Sequence, residues 1–89
     1  MYSIEIKGRV FKFLLSLQNS KEILSKIEKL KYFKSNRKIK LDIKKMQNQK
    51  KSREIYRMRI GDIRIIFEIF KDKNLVYIKE ANFRGKVYK

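Results

Sequence analysis

The 89-residue sequence predicts one α+β domain covering residues 1–89, of order β-α-α-β-β-β, with a helical hairpin packed on one face of an antiparallel sheet. Three observations predict it. The chain opens on an alternating segment, then shifts to helical spacing over two short stretches. It ends in three strand-like runs, two of them flanking the dipeptide Gly61-Asp62.

Each element follows from its pattern. "YSIEIK" alternates apolar and polar residues and predicts a strand at about residues 2–7. From Arg9, Val10, Phe13, Leu14 and Leu17 recur at helical spacing. "QNS" breaks that pattern and offers Asn19 or Ser20 as an N-cap, with Glu22 in the following turn. The second helix is "SKEILSKIEKLKYF", with Ile23, Leu24, Ile27 and Leu30 on one face and Glu22–Lys26 at four-residue spacing. Residues 34–53 form a strongly basic connector, read mainly as a solvated loop tethered by its apolar residues. Ile39, Leu41 and Ile43 alternate within it and allow a short edge segment. Strands are expected at about 54–60, 63–70 and 75–82, followed by the tail "FRGKVYK".

Composition narrows the chemistry. Without cysteine there is no disulfide and no thiolate-based metal or redox site. Without histidine, the usual general base near neutral pH and the commonest metal ligand are both missing. No metal or other cofactor is expected. Twenty-five Lys and Arg against nine Asp and Glu leave a net charge of +16, which calls for a polyanionic partner. The longest nearly apolar run, "VFKFLLSL", is too short to cross a bilayer and contains Lys12. The start lacks the basic-then-apolar order of a signal peptide. A soluble cytoplasmic protein with no membrane contact is the expectation.

The stretch "YRMRIGDIRIIFEIF" is the most apolar in the chain, yet it carries Arg57, Arg59 and Arg64. If Gly61-Asp62 is a two-residue hairpin loop, the register follows by counting outward: Ile60 opposite Ile63, Arg59 opposite Arg64, Met58 opposite Ile65, Arg57 opposite Ile66 and Tyr56 opposite Phe67. Side chains alternate faces along a strand, so Tyr56, Met58, Ile60, Ile63, Ile65 and Phe67 share an apolar face and the three arginines share the other. Like charges directly opposite destabilise a sheet by some tenths of a kcal/mol. For any one arginine, an exposed position paired with Glu68 or Glu80 is the plainer reading. Three together favour an anion site, because planar guanidinium forks suit phosphate oxygens.

This hairpin and the C-terminal "NFRGKVYK" resemble the RelE/ParE toxin superfamily of toxin–antitoxin systems, with the RelE-like branch the closer match. The family pattern is a strand like "YRLRIGDYRIIYEI", a further strand and a basic motif ending in R-x-x-V-Y. The resemblance implies a microbial RNase fold whose best-known members cut mRNA in the ribosomal A site. It also implies a cognate antitoxin that wraps the toxin in a hetero-oligomeric complex, and contact with DNA only through that antitoxin. Its basic positions fall on Arg57, Arg59, Arg64 and Arg84, and its tyrosine on Tyr88. Studied members often carry lysine at the first two. The common Gly-His-Arg form reads Asn82-Phe83-Arg84 here, which argues against a mechanism that depends on histidine.

RelE-type cleavage is attack of a ribose 2′-OH on the adjacent phosphate, and preorganised cations can stabilise the charge that develops. The resemblance then implies Arg59 and Arg64 at the scissile phosphate, Arg57 orienting the substrate or assisting the nucleophile, and Arg84 near the leaving oxygen. Tyr88 handles a proton or stacks on a base; anchoring the tail to the core is its alternative role. Tyr77 is read as structural. Two other functions remain open: a ParE-like DNA gyrase inhibitor without nuclease activity, and a non-enzymatic basic nucleic-acid-binding module.

Overall fold

In the computed structural model, residues 1–33, 41–46 and 53–83 are described. Five strands and two helices follow in the order β1 (Ser3–Ile6), α1 (Gly8–Leu15), α2 (Ser20–Glu28), β2 (Asp42–Lys45), β3 (Arg53–Ile60), β4 (Ile63–Phe70) and β5 (Leu75–Phe83). Short 3-10 turns follow α2 at Lys29–Tyr32 and β4 at Lys71–Lys73. The strands form one sheet, ordered β1-β5-β4-β3-β2.

The helices follow the apolar spacing. α1 buries Val10 and Leu14, and α2 buries Ile23 and Ile27, with Leu30 just beyond it. α1 stops at Ser16, whose hydroxyl donates to the Phe13 carbonyl at 2.6 Å and competes with continued helical bonding. α2 starts after Asn19, whose side chain makes no cap bond; its carbonyl accepts from the Ile23 N–H at 3.1 Å. The Glu22–Lys26 pair forms at 3.3 Å.

β3 and β4 form the expected hairpin in the expected register, from Ile60 opposite Ile63 to Tyr56 opposite Phe67. Gly61 has φ +59°, whereas Asp62 has none of the positive φ that a I′ turn requires, so the loop is of the II′ kind. Tyr56, Met58, Ile60, Ile63, Ile65 and Phe67 are all buried on the helix side. Tyr56 stacks on Phe67 with centroids 5.4 Å apart, and Phe33 meets both rings edge-on at 5.0 and 5.8 Å. At the far end of this face the Tyr56 hydroxyl donates to buried Glu54 at 2.6 Å. Lys45 and Lys71 approach the same carboxylate at 3.5 and 3.0 Å.

Three features differ from the sequence expectation. The sheet is mixed, because β1 pairs with β5 in parallel. β3 and β5 share a direction, and β1 joins the far side of β5 in that same direction through a long crossover that includes both helices. Within the basic connector, Asp42–Lys45 is a strand on the edge of β3, with Ile43 opposite Met58 on the core side. Ile39 lies outside the described residues. Finally, β5 carries a bulge: Ile66 pairs with Glu80 but Phe67 with Ile78, so Lys79 is the extra residue. Strict alternation from Ile78 would bury Glu80 and Asn82. The bulge buries Ala81 instead.

Two stability outcomes follow. A Cβ at Gly61 meets no atom within 4 Å, so Gly61→Ala costs only the left-handed backbone, about 1 kcal/mol in urea denaturation. Phe67→Ala removes the fully buried ring that Tyr56 and Phe33 pack against and costs about 3–5 kcal/mol. A smaller loss at Phe67 than at Gly61 would contradict this account of the core.

Candidate anion site on the open sheet face

The side chains facing away from the helices lie in cross-strand rows set by the register. One row reads Asp42, Arg59, Arg64, Asn82; the next reads Lys44, Arg57, Ile66, Glu80. Arg57, Arg59 and Arg64 are therefore brought together, and Lys44 on the edge strand adds a fourth cation opposite Arg57. Arg59 and Arg64 are direct neighbours. Because a two-residue loop makes Ile60–Ile63 the hydrogen-bonded pair, Arg59–Arg64 is the non-hydrogen-bonded kind, in which Cα atoms approach to about 4.5 Å and side chains lie closest.

Among the described residues, acids lie near only part of this cluster. Glu68 and Glu80 were the acids available to pair with the arginines. Glu68 is buried beside Lys79 at 3.7 Å. Neither Arg57 nor Arg59 forms an ion pair within 4.0 Å of a described residue, although Asp42 is the register partner of Arg59. The Nε of Arg59 is buried with no hydrogen-bond partner among the described residues. Arg64 is only 5% exposed, so its guanidinium sits in the sheet surface and is not free to swing into water. Such a group strengthens an anion contact, because its side-chain freedom is already reduced.

Arg84 and Tyr88 lie outside the described residues; β5 ends at Phe83, with Asn82 beside Arg64. Tyr77 is on the open face opposite Glu68 and half-buried, away from the arginine rows. Sequence reasoning left out Lys44. Its signal was present, since an inward Ile43 sends Asp42 and Lys44 outward. It also left out an open groove of about 330 Å³ lined by Arg9, Val10 and Phe13 of α1 and by residues 79–82 of β5. Nothing local in the sequence announces that groove, which depends on where α1 packs. Among the described residues there is no cluster of His, Cys, Asp or Glu able to hold a metal, and no helix is long and apolar enough to cross a membrane. Chemically, the arginine rows can bind and polarise a phosphate, while proton transfer needs other groups.

No family model matches the chain. It is 36% identical, over 99% of its length and 96% of the relative's, to the Methanocaldococcus jannaschii protein named "Putative toxin RelE1". Among solved structures it is similar to the archaeal RelE–RelB complex from Pyrococcus horikoshii, at TM-score 0.80 and 27% identity over 97% of this chain and 98% of that one. The isolated Escherichia coli RelE toxin shares the fold at TM-score 0.63 and 13% identity, over 99% and 92% of the two chains. Full-length similarity at this identity, on the same fold, places the chain in the RelE toxin family.

Proposed function

We propose that this chain is the toxin of a toxin–antitoxin system and acts in the cytoplasm as a ribosome-dependent endoribonuclease, cutting mRNA in the A site. The observation that carries the reading is the cation cluster of Arg57, Arg59 and Arg64 on one sheet face, in which Arg57 and Arg59 form no ion pair with any described residue. A row selected for stability alone would pair these charges or replace them.

In the proposed reaction the ribose 2′-hydroxyl gives up its proton as its oxygen attacks the adjacent phosphorus, and the leaving O5′ takes up one proton, so the proton count balances. The P–O5′ bond breaks, leaving a 2′,3′-cyclic phosphate and a 5′-hydroxyl. Arg59 and Arg64 hold the non-bridging oxygens as charge builds in the phosphorane, and Arg57 orients the attacking ribose. Arg84 is assigned to the leaving oxygen and Tyr88 to proton handling or base stacking, both from the family pattern. The net charge of +16 favours a grip on ribosomal RNA through backbone contacts, which weaken as salt rises. The cognate antitoxin, a partner of opposite character, binds the toxin and shields this face.

Primer-extension mapping of an mRNA on stalled ribosomes tests the assignment. Wild-type protein is expected to cut at the A site, and Arg64→Ala to slow cleavage by about 100-fold or more. Arg59→Thr separates function from folding: it slows cleavage comparably while leaving stability unchanged or raised by some tenths of a kcal/mol, as relief of like charge requires. If Arg59→Thr unfolds the protein, or cleaves normally, the arginine row is structural. Inhibition of DNA gyrase by a wild-type protein that leaves mRNA intact would move the assignment to the ParE-like class.

A further inference from the structure

The chain has no histidine, and guanidinium groups donate hydrogen bonds without accepting protons. The arginine face therefore needs a separate acceptor for the 2′-hydroxyl proton. Among the described residues, the strand acids on that face are Glu5, Asp42, Glu68 and Glu80. Glu5 sits beside Tyr77, away from the arginine rows. Glu68 is buried, with Lys79 at 3.7 Å. Asp42 stands opposite Arg59 with Lys44 next on its face of β2, so cations are its immediate neighbours. Glu80 differs from all three. It is exposed, it makes no ion pair or hydrogen bond with a described residue, and its cross-strand partner is the half-buried Ile66.

The bulge puts it there. Without the extra residue at Lys79, Glu80 would point at the core. With it, Glu80 shares a row with Ile66, Arg57 and Lys44, next to the row of Asn82, Arg64 and Arg59. Successive rows on one face of a sheet are about 7 Å apart. A phosphate held over Arg59 and Arg64 thus leaves its attached ribose over Ile66, the one apolar residue of the neighbouring row. Arg57 lies to one side of that seat and Glu80 to the other. On a face that only grips phosphate, an unpaired carboxylate weakens binding by repulsion. As a proton acceptor it has a use.

Resting on the endoribonuclease reading above, we propose that Glu80 is the general base of the cleavage. A carboxylate oxygen of Glu80 takes the 2′-hydroxyl proton as O2′ bonds to phosphorus. The electron pair of the P–O5′ bond leaves on O5′, which takes a proton from water. The hydroxide so formed takes the first proton back from Glu80, so protons and charge balance and the carboxylate is restored.

Single-turnover cleavage of a short synthetic mRNA on stalled ribosomes tests this, with Glu80→Gln and Glu80→Asp beside the wild type. Glu80→Gln is expected to lower the rate at saturating toxin at least 100-fold. The toxin concentration giving half the maximal rate is expected to stay equal or fall, because an acid has left a cationic face. Glu80→Asp, which keeps the carboxylate, is expected to cleave at least tenfold faster than Glu80→Gln. Sulfur in place of O5′ at the cleavage site gives a leaving group that needs no proton, and Glu80→Gln is expected to remain as slow on it. Both variants are expected to melt with the wild type, since the position is exposed. Cleavage by Glu80→Gln within threefold of wild type overturns the proposal and leaves the endoribonuclease reading intact. Rescue by the sulfur substrate makes Glu80 the proton donor to O5′ and overturns its role as base. Unfolding of both variants makes Glu80 structural and overturns the proposal as well. Failure of the folded wild-type protein to cut mRNA overturns both readings.

Discussion

The left-handed backbone at Gly61 is the constraint on which the rest of the sheet depends. A two-residue II′ loop allows one register, and a slip by one residue would turn one strand over relative to the other. With β3 held by its own core residues, Ile65 and Phe67 of β4 would then face away from the helices and Arg64 would face them. The helical hairpin offers Leu14, Ile23, Ile27 and Leu30, none of which can receive a guanidinium. Loop geometry and core burial therefore select the same pairing, and the arginine row is its by-product on the opposite face.

That row crosses the centre of the sheet. β4 is the central strand, flanked by β3 and β5, and is buried along most of its length on both faces. Arg64 belongs to it, whereas Lys44 lies on the edge strand β2. Arg64 is thus held by a strand on each side, and Lys44 by one only. A cation that must hold position as charge develops belongs near the centre of the sheet, and cations that gather a polyanion by long-range attraction can lie at its rim.

Much of this was legible because the signals are local. Gly61-Asp62 and the period-2 pattern around it were enough to pair Arg59 with Arg64, and the 3–4 spacing of Val10, Leu14, Ile23 and Ile27 was enough to orient both helices. What could not be read depends on contacts distant in sequence. The parallel pairing of β1 with β5 joins residues about seventy positions apart, and no short pattern encodes its direction. β2 was legible only as an allowed edge segment within a loop, because its four residues are rich in charge and its strand character comes from pairing with β3. The family resemblance named Arg84 and Tyr88, but it is the register that explains why Arg57, Arg59 and Arg64 meet.

The bulge at Lys79 sets which residues of β5 lie on the arginine face. In "VYIKEANF" an unbroken ladder from Ile78 would point Glu80 and Asn82 at the core, where an unpaired carboxylate is costly. One extra residue restores Ala81 to the core and brings Asn82 beside Arg64. The same step exchanges which backbone groups face the open edge, transferring them from Glu80 and Asn82 to Ala81 and Phe83. A single insertion therefore sets both which residues flank the anion site and which backbone groups of β5 face away from β4. The parity that keeps the Glu80 carboxylate out of the core also places Asn82 in line with Arg64 and Arg59.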